Sequence, residues 1–373
     1  MRFLIVIAYS GLGGAEKQAI SLALQMKEHQ DEVKVLCLNS SKDKATELMD
    51  LLQIEYLTLK RNYNHRFLHY LKIFDLYKVI KEYSPDFVLT YTWYANIYAA
   101  IISQCFSKVC FIWGQRDEGF GIKPNIILKS YVYSFDYYIA NSNGGVKFLK
   151  EVLKIPSNKI GLVYNGVSLP MLPLKKTNIY KTKYGISPNV FIATMVANLH
   201  SKKDHLTLIH AWAEFVKEPL FSNSILFLAG YFGDTAQRLF DLTIELGLEK
   251  NIYFLGAIND INALLSEANL LIMSSHSEGF SNAILEAMAI GLPVLATDIL
   301  GNVEVLGDQT SSVTLFKVGD VKDMCSKLKI LASNLKLCDK IGLYNRRRVE
   351  QLFSMRELYN NTIEIINNLH KDF

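Results

Sequence analysis

Short apolar runs recur along the chain, separated by longer segments in which apolar and polar residues alternate with helical spacing. In the first half the runs are residues 3–8, 33–38, 87–89, 109–113 and 137–140. A strand that is apolar at every position, not at every second one, is buried on both faces. The segments between, such as 15–28, 66–82 and 143–153, have the length and periodicity of amphipathic helices. This βαβ alternation predicts an open, doubly wound parallel sheet with helices on both sides.

Between residues 155 and 188 the texture changes. Pro156, Pro170, Pro173 and Pro188 fall among lysines, and proline interrupts helices and strands alike. A linker is expected at 168–177. The alternation then resumes, with candidate strands at 191–196, 225–229, 252–255, 270–273, 293–296 and 313–316. The last forty or so residues read as two helices, 335–353 and 355–369, with no strand after them. A chain of 373 residues exceeds what one core usually organises. The expected division is therefore an N-terminal α/β domain over 1–170, a second over 178–350, and a C-terminal helical segment, 351–373, that crosses back to the first.

The most informative stretch is HSEGFSNAILEAMAIGLPVLATD, residues 276–298. It puts a carboxylate, a glycine and a helix start directly after an apolar strand, where open α/β sheets bind ligands. Gly279 allows close approach of backbone to a ligand. Ser281 or Asn282 can cap a helix whose free N–H groups and positive dipole end suit a diphosphate. Glu286 follows about one turn inside. A carboxylate there cannot favour a diphosphate electrostatically, so its task is to accept hydrogen bonds from a neutral diol such as a ribose. Glu278, before the helix, faces the sugar side.

This stretch resembles the E-x7-E signature of the retaining glycosyltransferase family 4. Glu278, Gly279, Phe280, Glu286, Ala287, Gly291 and Pro293 stand at matching positions. The resemblance implies the GT-B fold, two Rossmann-like doubly wound parallel-sheet domains facing each other across a cleft, with the acceptor on the N-terminal side and the nucleotide-sugar donor on the C-terminal side. It also implies that Glu278 contacts the donor sugar, that the turn with Gly279, Phe280, Ser281 and Asn282 binds phosphate, and that Glu286 holds the nucleotide ribose.

Two further segments carry the resemblance. In VANLHSKKDHLTLIHAW, residues 196–212, Lys203 matches the family lysine that neutralises the donor diphosphate, a role suited to a compact ammonium. Ala197 and Asn198 stand where relatives have glycine and arginine. Lys202, Arg116 or a donor with different needs must make up the missing charge. GLGGAEKQAISLA, residues 11–23, follows the first strand as a phosphate-cradling loop should. A dinucleotide fingerprint would want glycine at Glu16 and an acidic residue near Leu38 or Asn39, so the pattern disfavours NAD. The family's first-domain loop has the same G-G-x-E pattern, which makes Gly13 and Gly14 candidates for the donor phosphate and sugar, with Glu16 capping or orienting. Smaller matches, YNGVS at 164–168 and FLG at 254–256, extend the resemblance over nearly the whole chain.

The clearest departure is WGQRDEGFG, residues 113–121, where many relatives carry a histidine. Arg116 becomes a candidate for the donor phosphate or sugar, and Asp117 or Glu118 for the acceptor.

Composition narrows the remaining choices. A net charge of +4, with scattered basic residues, gives no case for nucleic acid. Five cysteines without a C-x-x-C pair suit neither a disulfide framework nor zinc. The histidines show no metal spacing and no D-x-D occurs, so no metal and no cofactor beyond the co-substrate, a UDP- or GDP-sugar, are expected. Residues 3–8 are too short for a signal-peptide core, and no run approaches the roughly 18 apolar residues of a spanning helix. A cytoplasmic location is expected. Residues 66–83 interleave aromatic and basic side chains, and Arg346, Arg347 and Arg348 are clustered. Both suit peripheral contact with an anionic membrane surface.

The expected function is retaining transfer of a sugar from a nucleotide-diphosphate donor to a hydroxyl of a glycan or lipid-linked glycan in bacterial surface polysaccharide synthesis. Lys203, Glu278 and Arg116 are the candidate catalytic residues. On one helix, Glu278 and Glu286 would stand roughly 12 Å apart, too far for a glycosidase carboxylate pair. The alternatives are a sugar-nucleotide epimerase or hydrolase on the same plan, or a catalytically silent sugar-nucleotide-binding partner.

Overall fold

The computed structural model describes residues 1–8, 11–39, 43–59, 69–119, 131–172 and 177–370. Residues 66–68, 120–121 and 173–176, which belong to the basic aromatic segment, the WGQRDEGFG segment and the expected linker, lie outside them. The chain divides into two compact units, Met1–Gly166 with Met355–Phe373, and Val167–Ser354.

The first unit is built on a parallel sheet of β1 (Arg2–Ile7), β2 (Glu32–Cys37), β3 (Tyr56–Thr58), β4 (Phe87–Thr90), β5 (Cys110–Gln115), β6 (Tyr137–Ala140) and β7 (Ile160–Leu162). The strand order is β3-β2-β1-β4-β5-β6-β7. The pleat of β1 explains why its run is apolar at every position. Phe3, Ile5 and Ile7 enter one core layer and Leu4 and Val6 the other, and all five are fully buried. The first layer is covered by the helix Gly14–Glu28 and by the final helix Met355–His370, which contributes Leu358 and Ile366. That final helix crosses the end of the first-unit sheet so closely that a Cβ on Gly161 would stand 2.6 Å from Ile365 Cδ1. The helix His69–Tyr83 buries Leu76 and Ile80 in the second layer and exposes Phe74, with Lys78 Nζ 4.6 Å from its ring centroid. No helix among the described residues is long and apolar enough to cross a membrane.

The second unit repeats the plan with β8 (Ile192–Val196), β9 (Ile225–Ala229), β10 (Ile252–Gly256), β11 (Leu270–Met273), β12 (Val294–Thr297) and β13 (Leu315–Phe316). These are parallel in the order β10-β9-β8-β11-β12-β13. The order reverses between β8 and β11, which makes the carboxyl ends of these two neighbours the expected ligand crevice of the sheet.

Four elements differ from the sequence pattern. β3 and β7 lack the expected apolar run because they are short and only partly buried. The strand expected at 313–316 shrinks to Leu315–Phe316, because Ser311–Thr314 forms a helical turn that buries the Thr314 hydroxyl against Thr310 O at 2.9 Å. The helix Asn143–Lys147 continues as a π-helical turn, Phe148–Val152.

One contact fixes the helix that carries the signature motif. Asn282–Ala289 is held at its carboxyl end by the long helix Leu335–Leu352. Arg346 Nη1 donates to Ala289 O, and Asn345 Nδ2 to Leu292 O at 2.9 Å. The helices approach at Gly342, where a Cβ would stand 2.0 Å from Gly291 O. Gly291 has φ +76° and closes the turn. Gly342→Ala should therefore force backbone apart and cost about 1–3 kcal/mol. Denaturant unfolding checks this, and an unchanged midpoint would mean that the two helices do not meet at Gly342.

Candidate functional site

Two loops leave the carboxyl ends of β8 and β11 and are stitched together by their backbones. Asp204 N donates to Ser274 O at 3.0 Å, His276 N donates to Lys202 O at 3.0 Å, and Lys203 and Ser275 form an antiparallel bridge. This places the Lys203 ammonium on the Glu278 carboxylate through Oε1, with both side chains largely buried. The same Oε1 accepts from Ser275 Oγ at 2.7 Å. Ser275 is held in turn from β12, its N–H donating to Thr297 Oγ1 at 2.9 Å. One carboxylate oxygen of Glu278 is thus fixed by two donors.

Glu278 lies in the loop before the helix, not on it. The backbone of Glu278 and Gly279 rests on Gly301, where a Cβ would stand 2.2 Å from Gly279 O. The close backbone approach visible here is therefore made possible by Gly301. Phe280 is buried, with its ring edge-on to Phe353 at 5.2 Å, so its side chain serves the core. Ser281 is the N-cap of the helix Asn282–Ala289, its Oγ accepting from Ile284 N at 3.4 Å. On this helix Ile284, Leu285, Ala287 and Met288 are buried, whereas Asn282, Ala283 and Glu286 are only partly so. Asn282 and Glu286 are four residues apart and share that face. Lys203, Glu278, Ser281, Asn282 and Glu286 therefore all belong to the carboxyl-end edge of the second sheet.

Asn198, at the position of the family arginine, is exposed and accepts from Tyr231 N at 3.0 Å through Oδ1. It ties the loop after β8 to the loop after β9. Asp204 caps the next helix, His205–Val216, by accepting from Thr207 N at 3.1 Å. His205 is buried behind it, its Nδ1 3.4 Å from Lys203 O. Because a carbonyl only accepts, Nδ1 carries the proton and Nε2 is left as the basic nitrogen. Burial pushes the His205 pKa down to about 4.

In the first unit, Gly13 is the N-cap of the helix Gly14–Glu28, and the Glu16 carboxylate turns back over it. A Cβ on Gly13 would stand 2.6 Å from Glu16 Oε2. Glu16 is buried, and burial raises its pKa against backbone hydrogen bonds from its own residue and Gly13 that lower it. The helix start at Gly13 and Gly14 thus already carries a carboxylate of the chain. Arg116, after β5, stacks on Tyr91, Cζ 3.9 Å from the ring centroid, with Nη1 3.5 Å from Asn165 Oδ1. Asp117 is engaged locally, its Oδ1 accepting from Gln115 Nε2 and Gly119 N, both at 2.8 Å. Glu118 lies against Gly144. Among the described residues no group of three or more His, Cys, Asp or Glu side chains is arranged to hold a metal ion.

Residues 176–348 match the family described as Glycosyl transferases group 1, and residues 12–169 match Glycosyltransferase Family 4. The chain belongs to this glycosyltransferase family. A 4-alpha-N-acetylgalactosaminyltransferase of Campylobacter jejuni, named for its N-acetylgalactosamine-N,N'-diacetylbacillosaminyl-diphospho-undecaprenol substrate, is 26% identical over 90% of this chain and 92% of its own. The UDP-Gal:alpha-D-GlcNAc-diphosphoundecaprenol alpha-1,3-galactosyltransferase of Escherichia coli is 25% identical over 62% of each chain. With several curated relatives the match spans only about three fifths of their length, 59%, 62% and 60%. The crystal structure of Anabaena HepE with UDP and glucose superposes with a TM-score of 0.86 over 99% of this chain and 100% of that one, at 19% identity. That likeness is one of fold, and the fold is GT-B, built from two Rossmann-like units.

Sequence reasoning missed Ser275, Thr297 and Gly301, which support Glu278 from β11, β12 and the helix after it. The signal available was position: Ser275 follows the apolar run 270–273, and Thr297 ends the next one.

His205 gives the site a pH dependence. Its folded pKa of about 4 lies below the ordinary 6.5, so between these values the unfolded chain binds more protons and stability falls as pH falls. The contribution is complete above pH 6.5 and is lost toward pH 4, on the order of 3 kcal/mol in all. Urea unfolding at pH 7 and pH 4.5 should show a smaller loss for His205→Gln, whose amide can still donate to Lys203 O. Equal losses would place the acid sensitivity elsewhere.

Proposed function

We propose that this protein is a retaining, metal-independent glycosyltransferase that moves a hexosyl group from a UDP- or GDP-sugar to a hydroxyl of a glycan or lipid-linked glycan in bacterial surface polysaccharide synthesis. The observation that carries the reading is the meeting of Lys203 and Glu278. They come from adjacent strands at the point where the order of the second sheet reverses, just ahead of a capped helix start. The two relatives named for diphospho-undecaprenol-linked sugars support a lipid-linked acceptor.

In this reading the diphosphate rests on the N–H groups that open the helix Asn282–Ala289, where the dipole favours negative charge. Lys203 neutralises it further. Before the donor arrives, Lys203 is held by a single carboxylate oxygen, and a diphosphate offers more negative charge than that oxygen does. Glu278 keeps its orientation through Ser275, with Oε2 available to a sugar hydroxyl. Glu286 accepts from the ribose diol on the face it shares with Asn282. The bond from the anomeric carbon to the leaving phosphate oxygen breaks, and a bond to the acceptor oxygen forms on the same face. The acceptor proton passes to a phosphate oxygen of the leaving group, so charge and atoms balance without a protein base.

A thermal-shift screen against UDP-, GDP- and ADP-sugars should give one class of hit, since ligand at 100 times its dissociation constant adds about 2.7 kcal/mol. With that donor, Lys203→Ala should lower turnover by about 10²- to 10³-fold. Product NMR should show the anomeric configuration of the donor. Full turnover in Lys203→Ala would remove the lysine from the mechanism.

Ser275→Ala tests the support of Glu278 separately. Losing a hydrogen bond to a charged group is worth about 1.5–3 kcal/mol, so kcat/KM should fall by about tenfold or more while the unfolding midpoint changes little. Unaltered kinetics would show that Lys203 alone holds the carboxylate.

A further inference from the structure

The carboxyl ends of β4, β5 and β6 enclose polar groups that the transfer chemistry of the second unit does not use. Arg116 leaves β5 and lies over the ring of buried Tyr91, which follows β4. No carboxylate among the described residues lies within 4.0 Å of its guanidinium; it is engaged by the Tyr91 hydroxyl and, at a long 3.5 Å, by Asn165 Oδ1. Asn165 Oδ1 also accepts from Asn141 Nδ2 at 3.3 Å, which joins the loops after β5, β6 and β7 in one cluster. Asn96 Nδ2 donates to Gly114 O at 3.2 Å, and a Cβ on Gly114 would stand 3.5 Å from Arg116 Nε. Asn96 and Asn141 are each 2% exposed. Arg116 Nε, Asn141 Oδ1 and Asn96 Oδ1 are all buried without a hydrogen-bond partner.

A buried amide left unpaired is destabilising, and an uncompensated buried charge is more so. Arg116, Asn96 and Asn141, which follow β5, β4 and β6, combine these features at the carboxyl-end edge of the first sheet. The chemistry of the cluster specifies the ligand. A guanidinium whose Nε lacks a partner wants an oxyanion, and the planar fork favours phosphate or carboxylate geometry. An asparagine Oδ1 wants a hydroxyl. A ligand that supplies both is a hydroxylated compound bearing an oxyanion, a sugar phosphate being the simplest.

We propose that Arg116, Asn96 and Asn141 form a binding site in the first unit for the phosphoryl group and an adjacent hydroxyl of the acceptor. This rests on the transferase reading, and narrows the acceptor class to phosphorylated glycans, including those linked to lipid through phosphate. The donor's diphosphate already has Lys203 and a helix start in the second unit, so the oxyanion received at Arg116 is a separate one.

The test uses the full-length protein and three probes: glucose 1-phosphate, glucose and UDP. Trp93 and Trp113 stand edge-on at 5.7 Å beside the cluster, Trp113 on the strand that leads into Arg116, so tryptophan fluorescence reports on it; calorimetry gives the affinity. Saturable binding of glucose 1-phosphate is expected in the millimolar range or tighter, with glucose at least tenfold weaker. Arg116→Gln should weaken glucose 1-phosphate by about tenfold or more and leave UDP binding unchanged. Asn141→Asp puts a carboxylate in the same cluster, where it competes with an incoming oxyanion; it should abolish glucose 1-phosphate binding, and it covers the case in which Arg116→Gln fails to fold. The proposal is overturned if the wild type does not bind glucose 1-phosphate, or if either variant binds it as the wild type does. A parallel loss of UDP binding in Arg116→Gln would assign the arginine to the donor and also overturn it, while leaving the transferase reading intact. Failure of the wild type to bind any nucleotide would count against that reading without touching the glucose 1-phosphate result.

Discussion

The second unit depends on a short backbone splice between the loops that follow β8 and β11. Two main-chain hydrogen bonds, Asp204 N to Ser274 O and His276 N to Lys202 O, fix residues that are distant in sequence at the reversal point of the sheet. Everything charged in the site follows from it. Lys203 and Glu278 meet because the antiparallel bridge between Lys203 and Ser275 has already brought their two loops together, not because two long side chains find each other across solvent. A surface ion pair is worth little since both partners lose rotamer freedom to form it; here the backbone and Ser275 have already removed much of that freedom. The pair is therefore preorganised, which is the condition under which electrostatics contributes most to binding and catalysis.

That splice is supported from behind by apolar and neutral groups. Thr297 holds Ser275, Gly301 lets the Glu278–Gly279 backbone lie flat, and buried neutral His205 holds Lys203 O. At the other end of the signature helix, Gly342 and Arg346 press on its carboxyl terminus. A helix start can serve as an anion receptor only while its position is defined, and these contacts define it from both ends.

The architecture was legible because β1, β8, β9 and β11 are buried on both faces, so apart from Arg2 and Thr194 every residue in them is apolar and the run stands out. β3 and β7 were not, because a short, half-exposed edge strand imposes no such demand. In the site, the residues that a ligand would touch were legible through the resemblance of residues 276–298 to a known signature. Ser275, Thr297 and Gly301 were not, because each is specified by a neighbour distant in the chain. Residues 313–314 misled: two β-branched residues look like strand, yet Thr314 reaches back to Thr310 O and the segment turns as a helix. Phe280 stands in the signature and its ring packs on Phe353, so that position also serves the core.

The two units differ in how they handle negative charge, although their sheets share a plan. In the first, the helix start after β1 is closed by the chain's own carboxylate: Glu16 folds back on Gly13, and burial makes that charge costly enough to raise its pKa. A second anion brought to the same N–H groups would meet a like charge in a low-dielectric setting. The helix start after Gly13 thus faces a carboxylate of its own chain, whereas the equivalent helix start in the second unit is capped by the neutral Ser281. Cationic charge in the first unit resides instead at Arg116, stacked on Tyr91. Asn198, in the arginine's usual place, is spent on Tyr231 N, so the second unit offers one ordered lysine and a helix dipole. The two units thus differ at their helix starts, a neutral serine cap in one and a glutamate turned over the glycine in the other, because only the first has a glutamate at its third helical position.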